Sequence, residues 1–169
     1  ITLLKIRPWH RKAVLEYGVD HQGEMDRHLN LVRPQIAILT GINPTHADEE
    51  HLGSLQNIIQ EKKKLLTALP PRGLAVLNWD DEQVRQMIKG IKARILFYGS
   101  DQKHCDFWAE KIEIDFNGTS FTLGYDDKKI FMKTGLVGRH FVQNCLAAVA
   151  VGLHQNLSME QIKKGLAKL

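Results

Sequence analysis

Between residues 34 and 99 the chain alternates short apolar runs with amphipathic segments, and this alternation restricts the fold more than any other feature. "PQIAILTG" (34–41), "GLAVLN" (73–78) and "ARILFYG" (93–99) are brief, rich in β-branched and aliphatic residues, and bounded by Pro or Gly. They read as strands buried on both faces. Between the first two, Leu55, Ile58, Ile59, Leu65, Leu66 and Leu69 recur at i, i+3, i+4 and i+7 spacing, so this stretch reads as a helix. It opens at Ser54, a suitable N-cap, and stops at Pro70-Pro71. "DDEQVRQMIKG" (80–90) is a second helix, with acids in its first turn and Gly90 at its end. Strand–helix–strand repetition predicts an α/β fold: a mostly parallel sheet with helices on both faces. Upstream, "KAVLEYG" (12–18) reads as one more strand, and "GEMDRHLNLV" (23–32) carries apolar residues at helical spacing.

After Gly99 the pattern changes. Residues 111–134 read as strand, Asn117-Gly118 turn, strand, Asp126-Asp127 turn, strand. Asn-Gly is the strongest short hairpin signal, so a small antiparallel patch is expected here. "GRHFVQNCLAAVAVGLHQNL" (138–157) is a helix rich in small apolar residues, and Ser158 with Gln161 forms a capping box opening a last helix.

Bulk properties exclude several function classes. With 169 residues the chain can bury one core, and 43% hydrophobic with 25% charged residues argues against disorder. A formal charge of +4, with acids spread throughout, gives no reason to expect a nucleic-acid partner. The two cysteines, Cys105 and Cys145, form neither a disulfide framework nor a metal-ligand spacing, and fit a reducing cytoplasm. No apolar run reaches the roughly 18 residues of a membrane span, and no signal peptide is visible.

Three polar residues stand where an α/β sheet binds ligands, at the carboxyl ends of its strands. Glu16 closes the 12–18 run and His46 follows the 34–41 run. In "NIIQEKKKLL" (57–66), about 100° per residue puts Lys64 on the polar side and Lys63 on the flank, while Lys62 falls within the apolar stripe. Each has an ordinary alternative. Glu16 can cap a helix or pair with a cation, His46 can be a plain loop histidine, and Lys62 can snorkel to water. If Lys62 turns inward, all three can share one crevice.

The ordered set Glu16-Tyr17-Gly18, Asp20-His21-Gln22-Gly23-Glu24-Met25, Arg33-Pro34-Gln35-Ile36-Ala37, His46, Gly53-Ser54-Leu55 with Lys62, and Val76-Leu77-Asn78-Trp79-Asp80-Asp81 resembles the central, ATP-binding domain of the Mur ligases. "GRHFVQNCLAA" (138–148) resembles a later motif of that family, and the resemblance runs through nearly the whole chain. Within the family it is nearest the branch that adds D-alanyl-D-alanine to a UDP-N-acetylmuramoyl-tripeptide. The resemblance implies a fold like that of P-loop NTPases. It implies an ATP-dependent amide ligase of peptidoglycan precursor synthesis, acting through an acyl phosphate in the cytoplasm. Its substrates would be a UDP-linked muropeptide and an amino acid or dipeptide, with ATP and magnesium as cofactors. Glu16 and His46 would be magnesium ligands, and Asn144 would contact adenine. In several Mur ligases the lysine equivalent to Lys62 is carbamylated, and the carbamate helps to bind magnesium.

Four departures qualify the match. No Gly-x-x-x-x-Gly-Lys-Ser/Thr string occurs, and the family's C-terminal domain has no counterpart. The chain is therefore expected to be a central domain (1–169) truncated at its N-terminus, inactive on its own. Phe141 replaces the first Asn of the adenine motif, and Gly41 stands where an Asn is usual. A non-catalytic binding module built on the same fold, or a folylpolyglutamate or cyanophycin synthetase type of ligase, stays open.

Overall fold

The computed structural model describes residues 5–43 and 51–169. Six strands form one sheet in the order β1 (Ile36–Leu39), β2 (Leu74–Asn78), β3 (Arg94–Gly99), β4 (Phe107–Asp115), β5 (Gly118–Tyr125), β6 (Lys128–Thr134). The pairs β1–β2, β2–β3 and β3–β4 are parallel; β4–β5 and β5–β6 are antiparallel. The α/β expectation holds, and the expected antiparallel hairpins extend the same sheet. β4 begins at Phe107, ahead of the expected 111, because the apolar run Phe107-Trp108-Ala109 pairs with strand neighbours and is buried. A parallel connection normally needs a dozen or more residues. Residues 100–106 suffice here because only the first two residues of β4 pair with the last two of β3, Phe107 beside Tyr98 and Trp108 beside Gly99.

Helices cover both faces. Residues 74–77 of β2 are fully buried: Leu74 and Val76 point into a core with α4 (Arg139–His154) and α5 (Met159–Leu166), while Ala75 and Leu77 point into a second core. That second core holds Ile59 and Leu66 of α2 (Leu55–Thr67) and Val84 of α3 (Glu82–Gln86). Full burial of one such aliphatic side chain contributes about 1.5–3 kcal/mol. Through Met25 and Leu29, α1 (Glu24–Leu31) packs on Ile58 of α2 in a smaller cluster with Val19 and Leu52. Ser54 caps α2 by accepting from the Asn57 N–H, and Ser158 with Gln161 makes both bonds of the capping box on α5. α3 is shorter than its sequence pattern, ending at Gln86, since Val84 and Met87 are already fully buried within this short stretch.

One expected strand is absent. Residues 12–18 have no ladder partner, and Val14 is 94% exposed. A strand needs a neighbour for its backbone groups. This segment is held instead by side chains: the Tyr17 hydroxyl donates to the Val32 carbonyl (3.0 Å), and His28 Nε2 lies 3.0 Å from the Gly18 carbonyl. Glu16 therefore lies in the approach to α1, not at a strand end.

Thr119 joins the hairpins to the helix layer. Its fully buried hydroxyl donates to the Leu136 carbonyl (2.7 Å) and accepts from the Gly138 N–H (3.0 Å), and Gly138 is the N-cap of α4. Thr119→Val keeps the shape and strands both backbone groups. It should lower unfolding free energy by about 1–3 kcal/mol in urea titration, with no change in the slope of the transition.

Candidate functional site

The carboxyl ends of β1, β2 and β3 meet at one edge, and two adjacent aspartates hold them there. After β2 the chain turns at Asn78, whose side-chain amide donates to the Thr40 carbonyl just past β1 (2.8 Å) and whose Oδ1 accepts from the Asp80 N–H (3.0 Å). Asp80 then reaches toward β3. It accepts from the Ser100 N–H (3.0 Å) and the Ser100 hydroxyl (2.9 Å), and from Gln143 Nε2 on α4 (2.6 Å). A Cβ on Gly99 would lie 2.7 Å from an Asp80 oxygen, so only glycine fits beneath this carboxylate.

Asp81 reaches the other way. One oxygen accepts from the Ile42 N–H beyond β1 (2.7 Å); the other caps α3 through the N–H groups of Gln83 (2.8 Å) and Val84 (3.1 Å). A Cβ on Gly41 would approach Asp81 Oδ2 to 3.1 Å. The glycine at 41 thus has a local cause, the tight approach of this carboxylate.

Lys62 is coupled to this edge by charge. It is half-buried on α2, and burial pushes its ammonium below the usual lysine range, while the negative charge of Asp81 pulls the other way. The burial effect is the larger. Tyr98 at the end of β3 is fully buried, and its hydroxyl is shifted well above the usual tyrosine range by burial, with Asp80 and Asp81 adding to the shift. Among the described residues, Tyr98 Oη and Gln143 Oε1 are buried without a hydrogen-bond partner.

The other expected site residues are more scattered. Glu16 is exposed and makes no ion pair or hydrogen bond with Lys62. His46 lies outside the described residues. Asn144 is exposed on α4, one position beyond Gln143. Among the described residues, no three His, Cys, Asp or Glu side chains cluster as a ready-made metal cage. Sequence reasoning missed Glu61, the one charged side chain among the buried described residues, at 3% exposure. Its carboxylate accepts from the Met25 N–H of α1 (2.9 Å) and from Lys64 (2.8 Å), which also pairs with Asp26 (2.6 Å). In the sequence Glu61 only adjoins the apolar stripe of Ile58 and Leu65, which does not by itself mark an acid as buried.

Residues 1–152 match the family model described as the Mur ligase middle domain. The chain is 32% identical over 170 residues to the UDP-N-acetylmuramoyl-tripeptide–D-alanyl-D-alanine ligase of Escherichia coli (strain K12), covering all of this chain and 37% of that protein. It is 34% identical over 121 residues to the UDP-N-acetylmuramoyl-L-alanyl-D-glutamate–2,6-diaminopimelate ligase of Chlamydia pneumoniae, covering 72% of this chain and 24% of that protein. A crystal structure of MurF from Acinetobacter baumannii is similar with a TM-score of 0.87 at 31% identity, over 98% of this chain and 36% of that one. The chain spans little more than a third of the length of the tripeptide–dipeptide ligase and MurF chain it matches.

The half-buried ammonium has a pH signature. With its folded pKa below the unfolded value, Lys62 binds fewer protons folded than unfolded, so its charge opposes folding at neutral pH. Lys62→Met should raise the unfolding temperature at pH 7. That gain should shrink as pH climbs toward the ordinary lysine pKa of about 10.4, where the unfolded chain loses the same proton. Thermal unfolding of both proteins from pH 7 to pH 10 checks the sign.

Proposed function

Because this chain belongs to the Mur ligase family through that family's middle domain, we propose that it forms the nucleotide-binding part of an ATP-dependent amide ligase of peptidoglycan precursor synthesis. The observation that carries the reading is Lys62: an amine held half-buried on α2, shifted toward its neutral form by burial, within the electrostatic reach of Asp81 at the strand ends. A helix stripe has no packing reason to keep a lysine there. A neutral amine can take up carbon dioxide and become a carbamate anion, which suits a magnesium-binding crevice.

The residue types fit that ion. Magnesium is commonly held by one or two carboxylates, waters and substrate phosphates rather than by an all-protein cage, so it does not require a three-residue cluster among the described residues. Glu16 and His46 with carbamylated Lys62 would hold it. When bound, it would neutralise charge on the γ-phosphate. Asn144, exposed on α4, would hydrogen-bond the adenine edge.

The reaction transfers the γ-phosphoryl group of ATP to a carboxylate oxygen of a UDP-linked muropeptide, and ADP leaves. The incoming amine, from an amino acid or a dipeptide, attacks the acyl carbon. Phosphate departs with the C–O electron pair, and the amine releases a proton. The dipeptide D-alanyl-D-alanine is the favoured amine substrate, since the relatives that match the whole chain include ligases named for it. No helix among the described residues is long and apolar enough to cross a membrane. A cytoplasmic site of action follows from the nucleotide-linked substrate.

In the full-length protein carrying this chain, Lys62→Ala should lower muropeptide ligation by at least about 100-fold, the scale of losing one charge-stabilising group. Added short carboxylic acids should restore part of it by occupying the carbamate's place, and bicarbonate should not. Unchanged turnover would return Lys62 to a snorkelling role. Residues 1–169 alone, which contain no Gly-Lys-Ser/Thr phosphate loop, should show no ATP hydrolysis in a phosphate-release assay.

A further inference from the structure

The unpaired buried oxygen of Gln143, whose amide nitrogen bonds Asp80, points to a role for that carboxylate. An amide side chain can present either its nitrogen or its oxygen to a neighbour. Gln143 presents Nε2 to Asp80 at 2.6 Å, because its oxygen would face a like partial charge there. The consequence is that Oε1 is buried with no partner among the described residues. Leaving a buried acceptor unmet costs about 1–3 kcal/mol. The charge-assisted bond to Asp80 is therefore strong enough to set the rotamer against that cost.

Asp80 is itself immobilised. Ser100 holds it through N–H and hydroxyl, Asn78 Oδ1 accepts from its backbone N–H, and Gly99 leaves the space it occupies. Asn78 in turn is tied to Thr40. A line of hydrogen bonds thus runs from the end of β1, across β2 and β3, into the second turn of α4. That turn carries Asn144 at the next position, open to solvent. Packing of Val142, Cys145 and Leu146 holds α4 against the sheet; the directional bond from Gln143 adds an angular constraint on its rotation.

We propose that Asp80 is a positioning residue for base recognition: through Gln143 it sets the rotation of α4 that presents Asn144 to adenine. This rests on the reading of Asn144 given above. Asp80 touches neither the nucleotide nor the reacting atoms, so its effect belongs in nucleotide affinity and base preference rather than in the chemical step.

The test uses the full-length protein carrying this chain, with ATP and GTP affinities measured by titration calorimetry and ligation kinetics run alongside. Asp80→Ala should weaken ATP binding roughly tenfold, the scale of one charge-assisted hydrogen bond, with GTP affinity nearly unchanged, so the preference for ATP falls. Asp80→Asn, which retains an acceptor for Gln143, should recover most of it, to within about threefold of the parent. Gln143→Leu should reproduce the Asp80→Ala loss, and the double variant should be no worse than either. If Asp80→Ala does not fold, Gln143→Leu decides by the same readout. An unchanged ATP-to-GTP preference in a folded variant overturns the proposal, and so does an equal loss for both nucleotides and for the muropeptide KM. A parent protein that prefers ATP but ligates no muropeptide defeats the proposed function and leaves this inference standing. A parent with no preference for ATP defeats this inference alone.

Discussion

Three parallel strands that stop at one edge leave their following loops free to diverge, and in this chain two consecutive carboxylates prevent it. Asp80 and Asp81 come from one turn yet face opposite ways. The first binds the start of the loop after β3 and α4; the second binds the loop after β1 and the first turn of α3. The chain around them has adapted to their size, with glycine at 41 and 99 where a Cβ would crowd an aspartate oxygen. The same pair supplies the negative charge that Lys62 and Tyr98 feel at these strand ends.

The strand–helix alternation and the hairpin turns were legible because they rest on periodicity and on local turn chemistry. Asp126 and Asp127 both adopt positive φ, as a two-residue hairpin turn of this kind requires. The 12–18 run was misread because an apolar string reports a preference for burial, not the presence of a partner strand. Its hydrogen bonds go to α1 through Tyr17 and Gly18, a tertiary arrangement that no local pattern encodes.

The site was legible to a lesser degree. Lys62 stood out because it violates a stripe, and in the structure it is half-buried and feels the charge of Asp81. Asp80 and Asp81 formed part of the family-like string but carried no assigned task, because their partners Ser100, Gln143 and Ile42 lie 20 or more residues away in the chain. Glu61 was hidden for a related reason. Its burial depends on α1 placing the Met25 N–H against α2, and on Lys64 sharing its charge with Asp26. An acid beside an apolar stripe looks like solvated surface until its partner helix is known.

The strand order, β1 through β6 without a skip, bears on how the chain is made. In many α/β sheets an early strand waits for a late one to fill the gap between it and its neighbour. Here each new strand from β2 to β6 meets its upstream neighbour already synthesised, and the pairings are consecutive in the chain. On a ribosome delivering about 5–20 residues per second, the sheet can grow by accretion in one direction. α4 and α5, made after β6, then cover the face of the sheet that carries Leu74 and Val76.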